Sequence, residues 1–244
     1  MAYSFLSSAT TTSTANPRTT TITIGATASL VIAHIAFTNN TIFGTPVTCD
    51  GVDMTIVNTA TSAEGSVAMW YIQNGDINTG ASKVISIPNT SSDEITLSVS
   101  VYAVGASKDS SYHKQGTNTT GGATTLGVTL TTVAANSLQV DTFFSGYGTL
   151  TGFNFGKTAI FSKDNGNEIN ASQYNIQATS TNVSMSYRWG GSDDANMVAA
   201  SFTEIDGASG NLNEHDTVAF ANIDTQDATA IANIESIDGV LTGN

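Results

Sequence analysis

Apolar and polar residues alternate along most of this chain. The cleanest stretch is Ile95–Val104, where Ile95, Leu97, Val99 and Val101 fall on one side and Thr96, Ser98 and Ser100 on the other. That period of two is the pattern of a half-buried strand. Thr and Ile alternate over 19–24 in the same way. Leu30–Phe37 reads Leu-Val-Ile-Ala-His-Ile-Ala-Phe, a short, continuous, β-branched run that predicts a buried strand rather than a helix. Asp50-Gly51 splits 47–49 from 52–57 and is a hairpin-turn dipeptide. Further strands are predicted at Ser66–Gln73, 83–87 (stopped by Pro88), 124–130, 137–144, 158–162, 183–189 and 197–205, with a polar loop over 106–122.

The pattern thus contains about twelve short strands, with turn residues every 8–15 positions and no helical stretch of ten residues between them. This predicts an all-β protein, an antiparallel β-sandwich of two packed sheets in the manner of a jelly roll. Residues 3–16 are rich in Ser and Thr and predict an extended arm or an edge strand. The resulting plan is an N-terminal arm at 1–18, one sandwich over 19–205 and an irregular acidic tail at 206–244.

Charge sharpens this plan. Only 11% of the residues are charged, against roughly 25% in an ordinary soluble protein, and Thr, Ser, Asn and Gly supply the missing polarity. The net charge is −13, from seven basic and twenty acidic residues. That excludes nucleic-acid binding by phosphate neutralisation and disfavours anionic membrane surfaces. Eight acids and no Lys or Arg fall in 204–244, where Phe220-Ala-Asn-Ile-Asp recurs as Ile231-Ala-Asn-Ile-Glu. Such a segment cannot bury a core of its own, so a neighbouring subunit is expected to hold it, which predicts a homo-oligomer. Cys49 is the single cysteine, which leaves no intrachain disulfide. The first residues lack a basic, then apolar, leader, and no apolar run approaches the ~20 residues of a membrane span. Synthesis in a host cytoplasm without membrane insertion is the expectation.

Several segments carry a family likeness. They are Val-Thr-Cys-Asp-Gly-Val-Asp-Met-Thr-Ile-Val at 47–57, Met69-Trp70-Tyr71-Ile72 with Gly80 following, Val101-Tyr-Ala-Val-Gly-Ala-Ser, Asn136-Ser-Leu-Gln-Val and Met197-Val-Ala-Ala-Ser-Phe. Together they resemble the lectin-like jelly-roll structural proteins of tailed phages. The ending Ile231-Ala-Asn-Ile-Glu-Ser-Ile-Asp-Gly-Val resembles a short Ile/Gly/Val ending of phage particle proteins. Cys49-Asp50-Gly51 stands where those proteins usually have Tyr-Gly-Gly. The resemblance implies a virion protein, either a head decoration or fibre or a tail-appendage component, with contacts to its own copies and to other virion proteins and no catalytic motif. A glycan-binding host-adhesion module on the same particle is the alternative.

Candidate chemistry is sparse. Asp164, Asn165, Asn167 and Glu168 place hard oxygens around Gly166, as calcium loops do, and Asp193-Asp194 is a second calcium candidate. No cofactor is expected beyond calcium as a stabilising ion. Tyr147, Phe153 and Phe155 lie in an aromatic-glycine stretch suited to recognition, whereas Trp70 and Trp189 sit in strands and read as core. His34, His113 and His215 have no metal-binding spacing. His34 reads as a strand histidine bonded to a neighbour. Gly-x-Ser-x-Gly is absent. Asp141 is the lone acid inside an apolar strand, so no carboxylate pair for glycoside hydrolysis can be assembled. A non-enzymatic protein is expected.

Overall fold

The computed structural model describes residues 3–38, 46–73, 77, 79–88, 94–104, 110–153, 157–164 and 168–204. The acidic tail, Phe155, Asn165 and Asn167 lie outside the described residues. Every regular element among those described is a strand, and all pairings are antiparallel. The all-β expectation holds, with sandwich-like packing of three sheets rather than the two expected.

The first sheet has the order β1 (Tyr3–Ser13), β9 (Ile95–Val104), β3 (Leu30–Phe37), β7 (Ser66–Gln73), β6 (Thr55–Thr61). The second runs β2 (Arg18–Ile24), β8 (Ala81–Ile87), β4 (Thr48–Cys49), β5 (Val52–Asp53). The third runs β10 (Ser110–Val133), β15 (Thr181–Glu204), β11 (Ser137–Ser145), β14 (Ile169–Gln177), β13 (Thr158–Asp164), with β12 (Thr149–Phe153) also paired to β15.

Strand alternation distributes the apolar side chains over three layers. Ile22, Ile24, Ile85 and Ile87 of the second sheet meet Val31, Ile35, Leu97 and Val99 of the first. The opposite face of the first sheet, with Leu30, Ile32, Met69 and Tyr102, packs on Leu138, Val140, Val198 and Phe202 of the third. The first sheet is therefore covered on both sides, and this is why all eight residues of β3 are buried. Ile95, Leu97, Val99 and Val101 are buried as their alternation predicts. Thr96, Ser98 and Ser100 are buried as well, beneath the third sheet.

The third layer explains the additional sheet. Phe143, Ile169, Met197 and Ala199 pack against Val183, Met185, Tyr187 and Trp189. Met197 and Val183 belong to one strand, so β15 turns over and packs on itself. Its corner is Gly190-Gly191, with Gly191 at φ +143°, a conformation that disfavours any side chain. β10 follows the same path: its register against β15 shifts between Thr120 and Ala123 and again before Thr125, around Gly122 at φ +65°. The first half of β10 pairs with the second half of β15, and the second half with the first.

Residues 3–13 take the strand alternative rather than the arm. β1 pairs with β9 of its own chain, from Tyr3 opposite Val104 to Ser13 opposite Ile95. Its hydroxyls match those of β9: Thr10 donates to Ser98 at 3.0 Å, and Thr12 and Thr96 share a hydrogen bond at 3.2 Å.

Candidate functional site

The two described carboxylates expected to share a calcium ion, Asp164 and Glu168, hydrogen-bond to different groups. Asp164 Oδ2 accepts a hydrogen bond from the Leu150 N–H of β12 at 2.7 Å. Glu168 Oε1 accepts from Lys163 Nζ at 2.6 Å and from Asn170 Nδ2 at 3.2 Å. Lys163 and Asp164 are consecutive strand residues, so their side chains leave opposite faces of the sheet. Glu168 bonds with Lys163. Lys163 also binds Glu94, the residue before β9 of the first sheet. Burial holds the Glu168 carboxyl above the usual carboxylate range, while the hydrogen bond from Lys163 holds Glu94 below it. The arrangement is an ion-paired clamp between two sheets. Asp193 and Asp194 also diverge: Asp194 Oδ2 accepts from Ala63 N at 3.3 Å, and Asp193 Oδ1 accepts from Asp194 N at 2.8 Å. Among the described residues no three His, Cys, Asp or Glu side chains gather around a common point.

Of the aromatic stretch, Tyr147 is 54% exposed at the turn between β11 and β12. Phe153 closes β12, in register with Tyr187. Trp70 and Trp189 are buried core residues, as read from their strands.

Two polar clusters lie on either side of β11. His34, fully buried, projects from the first sheet toward the third. Its Nδ1 meets Thr142 Oγ1 at 2.9 Å and Ser172 Oγ at 3.1 Å, and its Nε2 meets Ser100 Oγ at 2.8 Å. Burial depresses the imidazole pKa to about 3, against the opposing effect of an Asp141 backbone hydrogen bond. The ring is therefore neutral, with one nitrogen donating and the other accepting. Asp141, on the opposite face of β11, accepts from the Gln173 N–H at 3.1 Å, from Gln173 Nε2 at 2.8 Å and from the Tyr187 hydroxyl. Burial still pushes its carboxyl up to about 7. Neither cluster reaches solvent, since His34 and Asp141 are both 0% exposed. Both act as polar pins within the packed layers.

No family model, curated protein or solved structure matches this chain.

An open cleft of about 390 Å³ lies in the crook of β10. Thr119 and Thr120 line it from one limb, Thr125 and Leu126 from the other, and Tyr187 and Arg188 from β15. Arg188 is exposed, with its side chain on the face opposite Tyr187 and Trp189. The other described basic side chains are differently placed. Arg18 is buried, Lys83 binds Asp50 at 2.8 Å, Lys163 holds its two glutamates and Lys157 is half-buried. The sequence carries no signal for this cleft. Residues 106–122 lack apolar alternation and read as a loop, and an isolated strand arginine carries no motif.

Proposed function

We propose that this chain is a non-enzymatic structural protein of a tailed-phage particle, a jelly-roll component of the head surface or of a tail appendage that works through subunit contacts. The observation that carries the contact role is the outer edge of the first sheet. β1 ends that sheet, spans 11 residues and contains no charged residue and no proline. Natural proteins blunt such edges with charges, prolines or covering segments, because a bare edge is a template for another strand. β10 is a second edge strand, 24 residues long with Lys114 as its one charged residue. A chain that works through repeated contact with its own copies and with other virion proteins has a use for both edges.

The buried polar groups fit the same reading. His34, Asp141, Gln173, Asn170 and Glu168 spend their hydrogen bonds joining strands and sheets, which favours a rigid body over a reaction centre. Placement in a virion draws its support from the sequence resemblance. An antibody against the chain should label the head surface or a tail appendage of purified particles from cultures that produce it. Label confined to the particle-free lysate would overturn the placement.

A host-adhesion role is the second reading, favoured by exposed Tyr147 at a loop tip.

A further inference from the structure

We propose that the crook of β10 binds a carboxylate-bearing saccharide unit, with Arg188 as the group that takes the carboxylate. This goes beyond the subunit-contact role and holds wherever the chain sits in a particle. The cleft exists because β10 changes layer at Gly121-Gly122, which parts Thr119 and Thr120 from Thr125 and Leu126 along one strand. Its volume of about 390 Å³ falls in the ~300–1,000 Å³ range of small-ligand sites, enough for more than a lone ion.

The lining chemistry selects the ligand class. A guanidinium presents a planar fork of donors that matches a carboxylate in two parallel hydrogen bonds. Threonine hydroxyls both donate and accept, as the hydroxyls of a sugar require. Thr119 Oγ1 already donates to Asn196 Oδ1 at 3.0 Å, so it faces a ligand as an acceptor. Leu126 is 5% exposed and packs in the core with Tyr187, so the apolar part of the lining lies beneath the face that carries Arg188 and Thr125.

The backbone around Arg188 leaves the guanidinium accessible. On β12 it lies in register with Gly152 and on β10 with Thr125. A Cβ added at Gly152 would meet nothing within 4 Å, so one side of Arg188 is open. Asp193 is turned toward Gly146, and Asp194 divides its oxygens between Ala63 and Gly121 at the crook, and neither acid lines the cleft. In a chain of net charge −13, general attraction cannot draw an anion in. Recognition must come from this local constellation.

The test is calorimetric titration of the intact chain with a glucuronate-containing disaccharide, a neutral glucose disaccharide and sodium acetate. The acidic disaccharide is expected to bind at least tenfold more tightly than either control. Arg188→Gln should weaken it by at least tenfold with an unchanged melting temperature, because charge-assisted hydrogen bonds are the strong ones. Arg188→Lys should recover part of the loss, and Thr125→Val should weaken binding several-fold while sparing acetate. Equal affinity for acetate and the acidic disaccharide would reduce the site to an adventitious anion and overturn the proposal. Undetectable binding of the acidic disaccharide, or binding indifferent to Arg188→Gln, would overturn it as well.

Discussion

Replacing His34 with alanine is expected to cost about 3 kcal/mol or more. The substitution strands the hydroxyls of Ser100, Thr142 and Ser172 between two sheets, and each buried polar group left without a partner costs ~1–3 kcal/mol. The loss should depend on pH. In the unfolded chain His34 takes a proton near its ordinary 6.5, whereas in the fold it stays neutral down to about 3. Between those values the unfolded state binds the extra proton, so this contribution is complete above pH 6.5 and is lost as the pH falls toward 3. The full effect is on the order of 4–5 kcal/mol. Urea unfolding at pH 7.5 and 5.0 is the measurement. The difference between wild type and His34→Ala should be larger at pH 7.5. A difference that does not change with pH would show that the ring is not held neutral.

Asp141→Asn is expected to act in the opposite sense. Burial raises the folded pKa of Asp141 from 3.8 to about 7, although Tyr187 and Gln173 donate to it. Its stabilising contribution is thus complete below pH 3.8 and lost as the pH climbs to about 7. A shift of this size corresponds to about 4 kcal/mol. An asparagine cannot ionise, so the stability of the variant relative to wild type should rise between pH 4 and 7 and level off above. Parallel pH profiles for the two proteins would contradict the buried-carboxylate reading. Between pH 4 and 6.5 the slopes from His34 and Asp141 oppose one another. Wild-type stability should therefore vary little with pH in that window, and only the single variants expose the two terms. The residues sit close to one strand, β11, so the double variant should not be additive.

The local periods of the sequence carried most of the element assignments. Ile95–Val104 and Leu30–Phe37 were legible because their side-chain patterns are set by burial, and burial is what periodicity reports. The second covered face of the first sheet was not, since Thr96, Ser98 and Ser100 read as solvent-facing and are instead buried beneath the third sheet. The layer change of β15 was hidden for a related reason. Residues 183–189 and 197–205 look like two strands around a Gly190-Gly191 turn, yet 181–204 is one strand passing through two layers. The first half of β10 lost its signal because a Thr- and Gly-rich edge strand has no apolar alternation to show. At the candidate sites, the hydrogen-bonded roles of His34 and Asp141 followed from a polar group placed within an apolar run. Asp164 and Glu168 are close in sequence, but their described hydrogen bonds go to different groups, the Leu150 N–H and Lys163, which the sequence does not show. Arg188 could be singled out only once the other described cations had been placed.

The central claim is that the sheet edges at β1 and β10, unpaired among the described residues, bring copies of this chain together. Light scattering of the 244-residue chain across a concentration series tests it most directly, beside a Ser4→Lys/Ser8→Lys variant that charges exposed positions of β1. The wild type is expected at a multiple of 25.2 kDa and the variant at a lower multiple or at 25.2 kDa itself, with an unchanged melting temperature. A wild type that remains at 25.2 kDa at every concentration would contradict it.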